Sequence, residues 1–169
     1  MSRNTTCPQY TGIKHKWWLK NLILFITGYC IYLAIEITYR GYSFRLMGVV
    51  GGLALMLLSC LSSFLMPGFQ LPLQMLAGAI IITSLELTSG LFSLKVLHFR
   101  MWDYQGEWMN LCDGLICPLY SLFWFFLSGI GIIFADCLDY YVLGGNRKPS
   151  YRILFWNLQL PQKEPALIP

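Results

Sequence analysis

Apolar positions along this chain gather into four long runs separated by short polar breaks. The first extends from about Leu22 to Tyr39, with Glu36 its single charge, and the second from about Leu46 to Met66, with none. The third, about Leu71 to Leu94, holds only Glu86, and the fourth, about Leu115 to Ala135, is uncharged. A helix needs roughly 20 apolar residues to cross about 30 Å of hydrocarbon. The expected fold is therefore all-α: an integral membrane protein with four transmembrane helices in one bundle. That bundle would occupy residues 21–145, between a basic tail (1–20) and a second tail (146–169). Little chain is left for a further domain.

The breaks between the runs carry their own signals. Tyr39 to Arg45 is a short turn containing Gly41, so the first two spans read as an antiparallel hairpin. Pro67 and Pro72 interrupt helix on either side of the next connection, because proline and the residue before it resist the α conformation. The third loop, about Lys95 to Gly114, is the longest and most polar, and such loops often carry function. After the fourth span a helical pattern runs on to Gly144 and Gly145, and the tail beyond Lys148 reads as a surface segment. Lys14, Lys16 and Lys20 precede the first run as in a signal peptide. The run is long, lacks a small-residue exit and ends in Glu36 and Arg40, so it is read as a retained span.

Orientation follows from Lys and Arg near the span ends. Arg3, Lys14, Lys16, Lys20, Arg147, Lys148, Arg152 and Lys163 lie on the side of the termini, against Arg40, Arg45, Lys95 and Arg100 on the other. Eight against four places the N- and C-termini in the cytoplasm. Trp17 and Trp18 on the inner side and Tyr39 and Tyr42 on the outer side suit interfacial anchoring.

Composition narrows the functional classes. Only 12% of the 169 residues are charged, half the usual quarter of a soluble domain, and mean hydropathy is +0.56. Disorder, a coiled coil and a disulfide-stapled secreted module are thereby excluded, and the first partner is the lipid bilayer. The net charge of +4 reads as an orientation signal, with no nucleic acid implied. Six scattered cysteines show no metal-ligand spacing with histidine, so no metal is expected, and no other cofactor. No phosphate-binding glycine loop occurs, and no nucleophile–base pair marks an enzyme. Asn4-Thr5-Thr6 matches a glycosylation sequon, which a cytoplasmic tail makes irrelevant.

Two carboxylates stand out, because a charge inside hydrocarbon costs a few kcal/mol and normally faces the bundle interior with a partner. Counted from the inner edges of their spans, Glu36 and Glu86 share one level in the outer half. Arg40 lies one turn beyond Glu36 on the same face. One reading is a polar, ligand-binding pocket made by Glu36, Arg40 and Glu86, lidded by Trp102, Asp103, Tyr104 and Asn110. The other is a structural lock in which Arg40 pairs with both glutamates. Asp136 and Asp139, three apart, read as a solvated or arginine-paired helix end. Gly48, Gly51 and Gly52 permit close helix packing, within the bundle or between copies, with Ala77, Gly78 and Ala79 as a facing small surface.

The runs IYLAIEITYRGYSFRLMGVVGG, QMLAGAIIITSLELTSG and FRMWDYQGEWMNLCDGLICPLYSLFWFFLS together resemble small bacterial membrane proteins described as "putative ABC transporter type IV". The resemblance covers roughly residues 20–145. It rests on Glu36, Arg40, Gly41, Gly51, Gly52, Glu86, Gly90, Trp102, Asp103, Tyr104, Asn110, Gly114, Cys117 and Trp124. Cys112-Asp113 departs from it, where a shorter and less acidic approach to Gly114 is expected. The resemblance implies a four-span, multi-pass protein of the bacterial cell membrane. It names neither substrate nor catalytic residue. Transport would require a separate ATPase subunit, and four spans are few for a permease half, which points to a homo-oligomer. The leading expectation is a permease-like subunit. The alternatives are a non-catalytic structural or interaction protein and a holin-like pore former.

Overall fold

A computed structural model describes residues 17–65 and 68–162. Arg3, the Asn4 sequon, Cys7, Lys14, His15, Lys16, Pro67 and Lys163 lie outside the described residues. The four apolar runs form helices α1 (Trp17–Arg40), α2 (Arg45–Cys60), α3 (Leu71–Lys95) and α4 (Pro118–Cys137). All four are long and apolar enough to cross a membrane. They run alternately up and down. One end of the bundle carries the α1–α2 and α3–α4 connections (the loop end), and the other carries the described ends of the chain (the termini end). Proline in the first turn of α3 and of α4 suits a position whose N–H would lack a helical partner anyway.

The described part of α1 includes the five residues before the apolar run, among them Lys20, which pairs with Asp139 of the last π turn at 2.9 Å. Two other ends run on as single π-helical turns, Leu61–Leu65 after α2 and Leu138–Val142 after α4. A π turn leaves carbonyls out of the helical ladder, and here they are used. Arg147 donates to Ser62 O at 2.9 Å, and the Ser62 hydroxyl donates to Asp136 at 2.8 Å.

The tail departs from the all-α expectation. Ser150–Ile153 (β1) and Trp156–Gln159 (β2) pair antiparallel as a hairpin. Tyr151 anchors it, entering the core beside Leu58, Leu61, Leu71 and Ile132 and donating its hydroxyl to Asp136 at 2.9 Å. Burial, then the adjacent Asp136, pushes the Tyr151 phenol above its ordinary pKa, so it stays a donor. Asp136 is thus held by Ser62 and Tyr151, and the expected arginine pairing of this helix end is not what the structure shows.

Helix packing is closest between α1 and α2. Gly48, Gly51 and Gly52 lie against Tyr29, Tyr32 and Phe25 of α1, and Gly28 of α1 faces Gly51 and Leu55. The glycine stripe is therefore used inside the hairpin, and its facing small residue is Gly28. The expected surface at Ala77–Ala79 does not face it: Gly78 meets Ser128 of α4 and Leu58 of α2. Ser128, fully buried, donates to Met75 O at 2.8 Å and ties α4 to α3. Ile26, Ile31, Ile35 and Ile37 of α1 and Phe123, Phe126 and Ile130 of α4 are exposed, the surface that a lipid solvent tolerates.

Candidate functional site

The α3–α4 connection, residues 96–117, is folded against the loop end of the bundle. Tyr104 N donates to Gly114 O at 2.9 Å, and Leu111 and Ile116 exchange backbone hydrogen bonds of 2.8 and 3.2 Å. Arg100 clamps the two arms from outside. Its guanidinium donates to Asp103 Oδ1 (3.1 Å), Asp113 O (2.7 Å) and Asp113 Oδ2 (2.9 Å). Asn110 Nδ2 donates to the carbonyls of Gln105 and Glu107 at 3.1 and 3.2 Å. Gly114 has φ +74°, and a Cβ there would stand 2.7 Å from Asp103 Oδ1 and 2.9 Å from Gln105 N. Gly114→Ala is expected to lose about 1–3 kcal/mol, the usual cost of such backbone strain, and to open the loop to protease. Limited proteolysis mapped to residues 96–117 checks it.

The loop is seated by two aromatic side chains. Trp102 lies over Gly90 of α3, where an added Cβ would be 3.0 Å from its ring, and its indole donates to Leu115 O at 3.1 Å. Tyr104 stacks on Tyr120 of α4, ring centroids 4.5 Å apart, and its hydroxyl reaches inward to Glu86 Oε1 at 2.9 Å. Burial first, then the Glu86 charge, pushes the Tyr104 phenol above its ordinary pKa, so it donates at any physiological pH.

Glu86 is the point on which these elements converge. It is 4% exposed. Oε1 accepts from Tyr104, and Oε2 accepts from Trp124 Nε1 of α4 at 3.1 Å. Both donors are neutral, and among the described residues no basic side chain forms an ion pair with it. A carboxylate offers about four acceptor sites, so two donors leave capacity for another. Below it lies a cavity of about 220 Å³, which Tyr32, Glu86 and Trp124 line together with aliphatic side chains of all four helices.

Glu36 and Arg40 lie elsewhere. Arg40 Nη2 donates to Glu36 Oε1 at 2.8 Å, the Ser43 hydroxyl donates to Glu36 Oε2, and Arg40 Nε donates to Tyr42 O at 3.3 Å. The guanidinium carbon also sits 4.9 Å from the Tyr42 ring centroid. The pair staples the α1–α2 turn. Tyr32, one turn below Glu36, and Ile35, next to it, line the cavity below Glu86, while Glu36 keeps its own partners at the α1–α2 turn. The lock in which Arg40 pairs with both glutamates is not formed.

Of the residues expected at the site, Glu86 and Tyr104 come together, Trp102 seats the loop on Gly90, Asp103 and Asn110 hold the loop from outside, and Glu36 and Arg40 form a separate staple. Trp124 was absent from the expected site. Its signal was present, since an indole N–H in an apolar run needs an acceptor, and Glu86 lies at a similar depth.

A second polar cluster occupies the termini end. A cavity of about 580 Å³ there is lined by Lys20, Asp136, Asp139, Arg147 and Tyr151 among others. Lys20 pairs with Asp139, Arg147 donates to the Ser62 and Ser63 carbonyls and Asp136 accepts from Ser62 and Tyr151, which suits a structural joint between the hairpin and the helices.

Comparison with known proteins gives one family. The family described as "Putative ABC-transporter type IV" matches residues 23–155, which include all four helices' apolar parts, the folded loop and β1. The chain belongs to that family and is a transporter-related membrane protein. No curated protein and no solved structure matches it.

Proposed function

We propose that this family member is the membrane-embedded, permease-like subunit of a transporter, with Glu86 as its ligand-facing group. It sits multi-pass in the bacterial plasma membrane with both termini in the cytoplasm. The observation that carries the reading is the buried Glu86 carboxylate: among the described residues its partners are neutral donors, it lies at the head of a cavity, and the folded loop covers it. A purely structural carboxylate in hydrocarbon would be expected to find a basic partner, as Glu36 finds Arg40. The role is non-enzymatic. The energy source is a separate ATPase subunit, and a second copy of the chain supplies the remaining helices.

The test is recovery of the tagged protein from its native membrane in mild detergent, with mass spectrometry of what accompanies it. A nucleotide-binding ATPase recovered in stoichiometric amount is the expected result. Recovery of the chain alone would contradict the reading.

A second reading, an interaction protein of the membrane, draws on the hairpin. Phe155 and Trp156 are 97% and 79% exposed at its tip, beside Arg152, on an element fixed to the bundle by Tyr151. In that case Phe155→Ala with Trp156→Ala should strip unrelated membrane partners from the recovered complex.

A further inference from the structure

Helix α1 packs mainly along α2, and α4 packs along α3 and α2, so α1 and α4 leave a gap between them. The cavity beneath Glu86 opens into that gap. Ile31 and Ile35 line it from α1, and Leu127, Ile130 and Phe134 from α4; Ile35 and Ile130 are 51% and 65% exposed on the flank of the bundle. From Trp124 to Phe134 the lining follows α4 for about 15 Å at 1.5 Å per residue. The space is therefore a slot parallel to the helices. It is apolar along its length, open sideways to the region that lipid chains occupy, and closed at its upper end by one acid.

We propose that this slot binds a single-chain lipophilic cation, its apolar tail between α1 and α4 and its ammonium head on Glu86. The inference deepens the proposed function and rests on Glu86 being its ligand-facing group. Shape sets the tail: about 220 Å³ is a narrow space that suits one chain. Charge sets the head. Tyr104 and Trp124 each supply Glu86 with a neutral hydrogen bond and neither supplies a positive charge, so a protonated amine adds the counter-charge and fills the remaining acceptor capacity. Charge-assisted bonds of this kind are roughly twice as strong as neutral ones. A fatty-acid anion would place like charges together at the head of the slot, and a neutral alcohol would add to the tail contacts only a hydrogen bond without counter-charge. The ligand enters sideways from the bilayer, so the folded loop need not open to admit it.

The test uses the full chain in phosphatidylcholine nanodiscs, titrated with dodecylammonium, dodecanol and dodecanoate and followed by native mass spectrometry. Saturable binding of dodecylammonium is expected, with dodecanoate weaker by about tenfold or more, the factor that one charge-assisted bond supplies. Glu86→Gln should weaken dodecylammonium by about the same factor and leave dodecanol within about twofold. Ile35→Trp, at an exposed position in the mouth of the slot, should weaken all the amphiphiles that bind while leaving the fold intact. Repeating the titration in discs doped with lysophosphatidylethanolamine, a one-chain lipid with an ammonium head, identifies the source: competition marks a bilayer aminolipid, and unchanged binding marks a free amphiphile. Equal binding of the cation and the anion, or a Glu86→Gln protein that binds dodecylammonium as before, would overturn the assignment. Binding is read on the isolated chain, so it succeeds or fails independently of whether an ATPase is recovered.

Discussion

Gly28→Val is expected to destabilise the bundle by more than the ~1–3 kcal/mol of ordinary overpacking. A Cβ at position 28 would stand 2.6 Å from Gly51 O, 2.8 Å from Leu55 Cβ and 3.1 Å from Gly52 Cα. Backbone atoms of α2 cannot swing aside as a side chain can, so the two helices must separate. Since α1 packs mainly against α2, separation forfeits most of what holds α1 to the bundle, where close approach is the main source of helix association. Gly129 is the control. Its added Cβ would meet only the flexible Met75 side chain, at 3.0 Å and beyond, so Gly129→Ala should stay within about 1 kcal/mol of the parent. Thermal unfolding in detergent distinguishes the two, and a Gly28→Val protein as stable as the parent would rule out this α1–α2 contact.

Glu86→Ala carries the second large effect. It strands the Tyr104 hydroxyl and the Trp124 indole in an apolar interior, and each unsatisfied donor costs about 1–3 kcal/mol. Glu86→Gln differs for a chemical reason. An indole can only donate, whereas a tyrosine hydroxyl can donate or accept. Glutamine can therefore turn its carbonyl to Trp124 and its amide to Tyr104, keeping both hydrogen bonds while losing the charge. Stability within about 1 kcal/mol of the parent is expected for Gln and a clear loss for Ala, both read by thermal unfolding. If Gln destabilised as much as Ala, the charge itself would be structural, as in a lock.

The four helices were legible because crossing hydrocarbon requires a long apolar run, and few sequences carry such runs for another reason. Their ends were less so. The helical pattern beyond Ala135 was already readable as far as Gly144, but at the other end Trp17–Asn21 joins α1, where Lys20 pairs with Asp139. That is a tertiary fact which no local pattern records. The hairpin at Ser150–Gln159 was missed because each strand has four residues, too few for alternation to register, and because its anchor, Tyr151 on Asp136, spans 15 residues of chain. At the site, Glu86 announced itself as a charge in an apolar run. Tyr104 stood in the expected lid, but how it reaches Glu86 did not show, since the folding of residues 96–117 depends on Arg100 reaching Asp113 and on Gly114 at positive φ. Arg40 was adjacent to Glu36 in sequence and looked available to both glutamates. In three dimensions Glu36, the Tyr42 carbonyl and the Tyr42 and Phe44 rings occupy it.

The central claim is that loop residue Tyr104 closes the bundle by donating to the buried Glu86. A double-mutant cycle on Tyr104→Phe, Glu86→Ala and the pair isolates that contact. The account predicts that Tyr104→Phe costs about 1 kcal/mol in the parent protein and turns neutral to stabilising once Glu86 is alanine, because it then removes a stranded hydroxyl. An equal cost in both backgrounds would show that Tyr104 stabilises the loop without touching Glu86, and would remove the lid from the site.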